Sequence, residues 1–168
     1  KLSKVRETRI TNEDVTALIQ HTQSPYLPLL IQLALLTGMR RSELIKLQWE
    51  DVDFDNQIIY LTDTKNGENR QIPISQKVNT VLKSFEGTEG PLFTIKEHAV
   101  SVAFRRAVKR SGLVNISFHT LRHEAITRFF EKGLSIPEVA SISGHKSWAM
   151  LRRYTHLQSK ALITKLNN

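Results

Sequence analysis

The sequence contains no cysteine, and this absence alone excludes three kinds of chemistry. Without thiols the chain can form no disulfide bond, hold no metal ion through thiolates and use no cysteine nucleophile. Long hydrophobic runs are missing too, since no apolar stretch approaches the roughly 18 residues that cross a bilayer. The basic start, residues 1–6, is not followed by an apolar segment, so we expect no signal peptide. The sequence therefore predicts no membrane association.

The composition indicates one compact domain. The chain has 168 residues, of which 40% are hydrophobic and 24% are charged, as is usual for globular proteins. The 24 Lys and Arg residues exceed the 16 Asp and Glu residues, which gives a net charge of +8. This excess favours an anionic partner but does not identify one. Because the first residue is Lys1 and not Met, we expect the chain to be a fragment of a longer protein.

Helical patterns occupy most of the sequence. Thr11 is a typical N-cap for a first helix, and the Leu-rich run after Pro28 predicts a buried second helix that ends at Thr37-Gly38. Further helices are predicted over 41–48, 75–85, 98–110, 120–131, 136–142 and 148–154, followed by an amphipathic segment over 157–166. The expected fold class is mainly α with a small β-hairpin or sheet (α+β).

One β-hairpin is predicted early in the chain. Residues 57–61 are β-prone, residues 65–68 form a turn signal, and residues 70–74 alternate polar with apolar side chains. Pro73 indicates that the second strand lies at the edge of the sheet or that the proline is at the strand's end, because proline has no N–H to donate to a neighbouring strand.

Two arginine-containing pairs are candidate functional groups. Arg40 lies three residues before Glu43 at a helix start, which indicates either an ion pair that fixes the helix end or an arginine that faces a cavity. Arg41 is expected to be solvated. His119 and Arg122 are three residues apart and project from one side of a helix. His119 and His123 suggest zinc, but Thr120 replaces the glutamate of the metalloprotease pattern, so we predict no metal site.

The remaining candidates each have an ordinary alternative. A lysine in a turn, such as Lys65, is usually a solvated charge, and Tyr154 has the spacing of a core or interface residue. His145 follows Gly144 at a helix start, which favours a neutral imidazole. A basic run on the fifth predicted helix indicates either phosphate contacts or a solvated face. Its members are Arg105, Arg106, Lys109 and Arg110.

Five sequence boxes in this order resemble the catalytic domain of the tyrosine recombinase (phage integrase) family. The boxes are residues 37–44 (TGMRRSEL), 64–67 (TKNG) ahead of 70–74 (RQIPI), 119–123 (HTLRH), 143–146 (SGHK) and 153–156 (RYTH). The resemblance runs from about Thr11 to the end of the chain. It implies a single catalytic domain over residues 1–168, with the N-terminal core-binding domain of a longer integrase absent.

The resemblance assigns catalytic roles to six side chains and a supporting role to Glu43. Two arginines stabilise the transition state at a DNA phosphate, a lysine protonates the leaving 5′-hydroxyl, and a tyrosine attacks phosphorus. One of two histidines accepts the tyrosine proton, and the sequence does not decide which. The six are Arg40, Lys65, His119, Arg122, His145 and Tyr154. Glu43 would orient Arg40 or His119, and the resemblance implies no metal and no other cofactor.

The expected partner is double-stranded DNA, with no small-molecule substrate. The residues expected to bind DNA are Arg41, Arg105, Arg106, Lys109, Arg110 and Lys146. The family resemblance implies a homo-tetramer on DNA and a cytoplasmic, DNA-associated protein. The segment from Leu157 to Leu166 is predicted to dock on a neighbouring protomer or to pack on its own domain.

Two alternatives stay open at this point. A type IB topoisomerase has a similar catalytic domain, but the spacing between Gly144-His145 and Tyr154 and the short chain favour a recombinase. A non-catalytic DNA-binding module could keep the fold, although it would need no nucleophile. Trapping of a covalent complex with DNA separates these possibilities.

Overall fold

The structure is a computed structural model that describes residues 8–62, 69–85 and 87–168. The described helices are α1 (Asn12–His21), α2 (Leu27–Thr37), α3 (Arg41–Lys46), α4 (Gln76–Lys83), α5 (Glu97–Ser111), α6 (Phe118–Glu131), α7 (Ile136–Ser143) and α8 (Ser159–Asn167). The strands are β1 (Val52–Asp53), β2 (Ile58–Leu61) and β3 (Arg70–Pro73), and 3₁₀ helices cover Trp49–Asp51 and Trp148–Gln158. The predicted mainly α fold with a small sheet is confirmed.

The three strands form one antiparallel sheet in the order β1-β2-β3. Ile59 lies opposite Ile72 and both are buried, whereas Tyr60 lies opposite Gln71 and both are exposed. This alternation gives the sheet one core face and one open face. The predicted hairpin is confirmed for both of its strands, while its turn lies outside the described residues. The sequence did not indicate the short strand β1.

The core is built around α2, as its apolar sequence predicted. Leu30, Ile31 and Ala34 are fully buried, and the helix packs against α6, α4 and α1. A helix that is apolar on most of its surface must be covered on most sides. The surrounding helices are thereby fixed relative to the C-terminal end of α2.

Two glycines end helices at positions that prove central to the site. Gly38 follows α2 with φ 69° and Gly144 follows α7 with φ 77°, a left-handed conformation that residues with side chains rarely adopt. The helix end predicted at Thr37-Gly38 is confirmed. Each glycine ends its helix in a sharp turn, and Arg40 and His145 follow within two residues of these turns.

The C-terminal part differs from its prediction in one respect. The helix predicted over 148–154 is a 3₁₀ helix that continues to Gln158. The following helix, α8, packs on its own domain, where Lys165 Nζ donates to the Gly133 carbonyl at 2.9 Å. None of the helices in the described ranges has the length and hydropathy needed to cross a membrane.

Candidate active site

Arg40 occupies the N-cap position of α3, immediately after the left-handed turn at Gly38. Its backbone N–H donates to Glu43 Oε1 at 2.8 Å, which stabilises the helix start. Its guanidinium Nη1 lies 3.7 Å from the same oxygen, and the side chain is 39% exposed. Both interpretations of the Arg40–Glu43 spacing therefore apply, since Glu43 fixes the helix end while the Arg40 guanidinium stays accessible.

Arg122 on α6 is buried between two helix ends. Its Nη1 donates to the Gly38 carbonyl at 2.7 Å and its Nη2 to the Ser143 carbonyl at 2.8 Å. The C-terminal ends of α2 and α7 carry partial negative charge, which suits a buried cation. Burial lowers the pKa of Arg122 to about 10, helped by the charges of Arg40 and Arg70, so the side chain remains protonated at neutral pH. Arg122 thus links the loop of Arg40 to the loop after α7.

That second loop carries His145. The Nδ1 atom of His145 lies 2.6 Å from the hydroxyl oxygen of Ser143. Burial lowers the pKa of His145 to about 4, with further contributions from the nearby charges of Arg122 and Arg40. The imidazole is therefore neutral at pH 7 and able to accept a proton.

Arg70 on β3 bridges α3 and the last turn of α7, and the sequence analysis assigned it no role in the site. Its Nε donates to the Ile142 carbonyl at 2.8 Å, and its two terminal nitrogens bind both oxygens of Glu43, with Nη2 2.9 Å from Oε1. A Cβ at Gly144 would lie 2.9 Å from Arg70 Nη1, so the guanidinium packs directly over this glycine. Burial would raise the pKa of Glu43, but hydrogen bonds and charge from Arg70 outweigh it and lower that pKa.

The predicted side chains converge on two adjoining cavities. Arg40, His119 and Arg122 line a cavity of about 230 Å³. Arg40 and His145 line a larger one of about 700 Å³, together with Glu43, Arg70 and Lys146. Arg40 therefore borders both spaces. The structure brings together four of the six predicted catalytic residues, namely Arg40, His119, Arg122 and His145. Lys65 lies outside the described residues.

Tyr154 lies beside this cluster but lines neither cavity. Only 1% of the residue is exposed, and its ring stacks on Phe130 at a centroid distance of 5.7 Å. Arg153 Nη2 donates to the Tyr154 hydroxyl at 2.8 Å, and His123 Nδ1 lies 3.0 Å from the same oxygen. The His119 ring contacts the His123 ring edge to face at 4.6 Å, so His123 lies between the Tyr154 hydroxyl and the residue that lines the smaller cavity.

The histidine nearest to Tyr154 is thus neither of the two that the resemblance proposed as proton acceptors. Burial lowers the pKa of His123 to about 4, with contributions from His119 and Arg153. Burial also lowers the pKa of His119, followed by the charge of Arg122. All these imidazoles are neutral at pH 7. In the sequence, His123 had been considered only as a possible zinc ligand.

Four of the six predicted DNA-binding residues lie on α5, and the other two, Arg41 and Lys146, lie beside the cavities. Arg105, Arg106, Lys109 and Arg110 are all exposed on α5. Arg110 also reaches α1, where Nη1 lies 3.4 Å from the His21 carbonyl.

Arg41 is partly solvated, with 38% of its side chain exposed, and it also makes contacts within the domain. It pairs with Glu97 at 3.4 Å and contacts the Ser101 hydroxyl, because α5 packs against α3 at this point. Lys146 is exposed at the rim of the larger cavity.

Within the ranges that the structure describes, no three histidine or carboxylate side chains form a group able to hold a metal ion. The cationic character of the cavities instead suits an anionic group. Two guanidinium groups and neutral imidazoles around a small cavity can bind a phosphodiester and spread the charge that builds up when it is attacked.

The proteins that this chain resembles are integrases and recombinases. A family model described as the phage integrase family matches residues 8–161. The shufflon-specific DNA recombinase of Escherichia coli is 38% identical over 171 residues, which cover 99% of this chain and 44% of the recombinase. The chain therefore spans less than half the length of that relative.

Solved structures of similar fold include two integrases. The catalytic domain of bacteriophage HP1 integrase matches with a TM-score of 0.76 and 26% identity, over 95% of this chain and 94% of that domain. A lambda integrase tetramer bound to a Holliday junction matches with a TM-score of 0.68 and 27% identity, over 86% of this chain and 48% of the integrase chain.

Proposed function

Because the chain belongs to the phage integrase family, we propose that it is the catalytic domain of a site-specific recombinase that cleaves and rejoins duplex DNA. The observation that carries this proposal is the convergence of Arg40, Arg122 and His119 on one cavity. Two fixed cations reduce the repulsion between a phosphodiester and an incoming nucleophile, and they stabilise the transition state without a metal ion.

The reaction exchanges one phosphodiester bond for another. The Tyr154 oxygen forms a bond to phosphorus, and the bond between phosphorus and the 5′-oxygen breaks. The phenol proton passes to a neutral histidine, and Lys65 gives a proton to the departing 5′-oxygen. The product is a 3′-phosphotyrosyl bond and a free 5′-hydroxyl. Attack by a 5′-hydroxyl of another strand reverses these steps, so that no nucleotide cofactor is consumed.

Tyr154 has to move for this attack. Its hydroxyl is hydrogen-bonded to Arg153 and lies 3.0 Å from His123 Nδ1, whereas the phosphate is to be bound between Arg40 and Arg122. We therefore assign the described position of Tyr154 to a resting state. DNA binding then shifts the 3₁₀ helix Trp148–Gln158 toward the cavity.

Double-stranded DNA is the proposed partner, and the exposed cations on α5 support this assignment. Four copies on two DNA duplexes are the proposed assembly, since lambda integrase of similar fold forms a tetramer on a Holliday junction. In that assembly α8 leaves its own domain and docks on a neighbouring protomer. Leu162, Ile163 and Leu166 on α8 are exposed apolar side chains that such a neighbour can cover.

Covalent trapping tests the proposed activity. A pool of nicked duplexes with a randomised central sequence releases a short fragment after cleavage, so that the covalent complex cannot reverse. We expect the wild-type chain to form complexes that survive denaturation, and Tyr154→Phe to form none while it still shifts the recovered DNA sequences in a gel. Equal trapping by both proteins would show that Tyr154 is not the nucleophile. The absence of any complex would favour the non-catalytic module.

A second assay separates recombination from topoisomerase activity. Plasmids that carry the recovered sequence should exchange strands between two sites. Relaxation of a plasmid with no exchange between sites would favour the type IB topoisomerase.

Truncation after Thr155 tests the proposed assembly. Removing residues 156–168 deletes α8, and the catalytic cavities keep their linings. We expect DNA affinity of the monomer to stay nearly unchanged and strand exchange to be lost. Unchanged strand exchange would contradict docking of α8 on a neighbour.

A further inference from the structure

Arg70 is a buried cation that no step of the proposed reaction uses. Its side chain is 9% exposed, and it binds Glu43 and the Ile142 carbonyl. A buried ion pair is costly to assemble, so its retention beside a reaction centre needs a reason. The reason lies in the second arginine that Glu43 can bind.

Glu43 has two arginine neighbours with different access to solvent. Arg70 binds both carboxylate oxygens and is buried, whereas Arg40 lies 3.7 Å away and is 39% exposed. A carboxylate held by two guanidinium nitrogens and one backbone N–H has most of its hydrogen-bonding capacity filled. The Arg40 guanidinium is therefore left at ion-pair distance, 3.7 Å from Oε1, which is too long for a hydrogen bond.

We propose that Arg70 is a positioning residue for the reaction: it occupies Glu43 so that the Arg40 guanidinium stays directed into the cavity where the scissile phosphate binds. This inference rests on the proposed function. Without Arg70, the Glu43 carboxylate, only 11% exposed, loses its main partner, and Arg40 is the cation left beside it at 3.7 Å. Arg40 then closes on Glu43 and is withdrawn from the phosphate.

The position of Arg70 extends this role to the second loop. Its Nε holds the Ile142 carbonyl in the last turn of α7, and its guanidinium fills the space over Gly144, directly before His145. One side chain therefore sets the distance between the loops that carry Arg40 and His145. A lysine has neither the planar fork nor the additional N–H donor, so it cannot replace these interactions.

The test uses Arg70→Gln alone and combined with Glu43→Gln. Single-turnover cleavage is measured on the DNA sequences recovered from the randomised pool, at saturating DNA. We expect Arg70→Gln to slow cleavage about 100-fold, the loss seen when one donor to a transition state is removed, because Arg40 is then withdrawn from the phosphate. The double variant should be at least about tenfold faster than Arg70→Gln, because the neutral amide that Glu43→Gln introduces no longer attracts Arg40.

A matched control separates positioning from stabilisation. Arg128 also pairs with a buried glutamate, Glu124, but on the side of α6 away from both cavities. We expect Arg128→Gln to lower the melting temperature and to leave cleavage within about threefold of the wild-type rate. A double variant no faster than Arg70→Gln, or Arg70→Gln at the wild-type rate, would overturn the proposal.

The geometry of the Arg70→Gln variant separates the positioning role from the proposed activity. If the wild-type chain traps no DNA, the Arg40–Glu43 distance in a crystal structure of Arg70→Gln decides. Shortening from 3.7 Å to hydrogen-bond distance supports the positioning role in the free protein. An unchanged distance contradicts it, independently of any reaction.

Discussion

Glu43 and Glu124 both have largely buried side chains and both bind arginines. They differ in whether a neighbouring arginine stays exposed beside a cavity. Glu124 on α6 binds Arg9 at 2.8 Å and Arg128 at 2.8 Å, and it accepts the Ile10 backbone N–H at 3.0 Å. Glu43 binds Arg70 and leaves Arg40 exposed at the border of both cavities.

The pKa values of the two glutamates are shifted in the same direction. Burial would raise the pKa of each glutamate, but hydrogen bonds from Arg70 at Glu43, and from Arg9 and Arg128 at Glu124, lower both pKa values. Neither the residue types nor the direction of the pKa shift therefore distinguishes the network at the proposed site from the other one. The distinguishing feature is an arginine with an accessible guanidinium beside a cavity. The Glu124 network instead joins the segment before α1 to α6, across 115 sequence positions.

The largest difference is expected between the arginines of α6. Arg122→Ala should slow strand cleavage by about 10³-fold, because it removes a charge from the proposed transition state. Arg128→Ala, on the same helix, should change cleavage by less than about threefold. Both cleavage rates are measured in single-turnover assays on the DNA sequences recovered by covalent trapping. Circular dichroism checks that each variant folds. Equal losses in the two variants would contradict the division between site and scaffold.

The next effect concerns stability. Glu124→Gln should lower the free energy of unfolding by about 1–2 kcal/mol, because Arg9 and Arg128 lose a charged hydrogen-bond partner while both stay partly solvated. Its cleavage rate should stay near that of the wild type. Glu43→Gln should instead slow cleavage, since it loosens the loop that carries Arg40. Chemical denaturation and cleavage assays are carried out on both variants, Glu124→Gln and Glu43→Gln. A Glu124→Gln protein that is as stable as the wild type but inactive would contradict a structural role for Glu124.

Acidification should affect stability in two separate ranges. The pKa values of His123 and His145 are lowered to about 4, so below about 6.5 the unfolded chain takes up protons that the folded protein does not. Stability is therefore lost progressively as the pH falls from about 6.5 toward 4. The glutamates, whose pKa values are lowered, contribute stability above about 4.3 that is lost below it.

Melting temperatures between pH 8 and pH 3 test both ranges. His145→Gln should reduce the loss in the upper range, and Glu124→Gln should reduce the loss in the lower one. A melting temperature independent of pH between about 7 and 5 would contradict the lowered histidine pKa values.

The smallest effects are expected on α5. Combined alanine substitutions at Arg105, Arg106 and Lys109 should weaken DNA binding several-fold and reduce the salt dependence of affinity, by about 0.9 in logarithmic slope for each phosphate that the variant no longer neutralises. Titrations at several salt concentrations measure this slope. Arg9→Ala, which removes an exposed cation near α1, is the control and should leave the slope unchanged.

Local patterns predicted most of the fold. The apolar surface of α2, the N-cap at Thr11 and the alternation around Ile72 depend on neighbours within a few residues, and the structure confirms these elements. The strand β1 was missed because two residues carry no period, and the 3₁₀ geometry of Trp148–Gln158 was missed because its spacing resembles that of an α-helix.

The residues of the site could be predicted only where the sequence boxes resemble those of the tyrosine recombinase family. Spacing alone pairs Glu43 with Arg40, three residues away, whereas the partner that binds both of its oxygens is Arg70, 27 residues away. That choice depends on how β3 packs beside α3 and α7, which no local pattern contains. The proximity of His123 to Tyr154 depends in the same way on the 3₁₀ helix packing against α6.

The most direct test of the central claim is to identify the atom that carries the DNA. The trapped complex is digested with protease and nuclease, and mass spectrometry locates the nucleotide adduct among Tyr26, Tyr60 and Tyr154. We expect a 3′-phosphate linked to Tyr154 and a free 5′-hydroxyl on the released fragment. An adduct on another residue, or one formed through a 5′-phosphate, would contradict it.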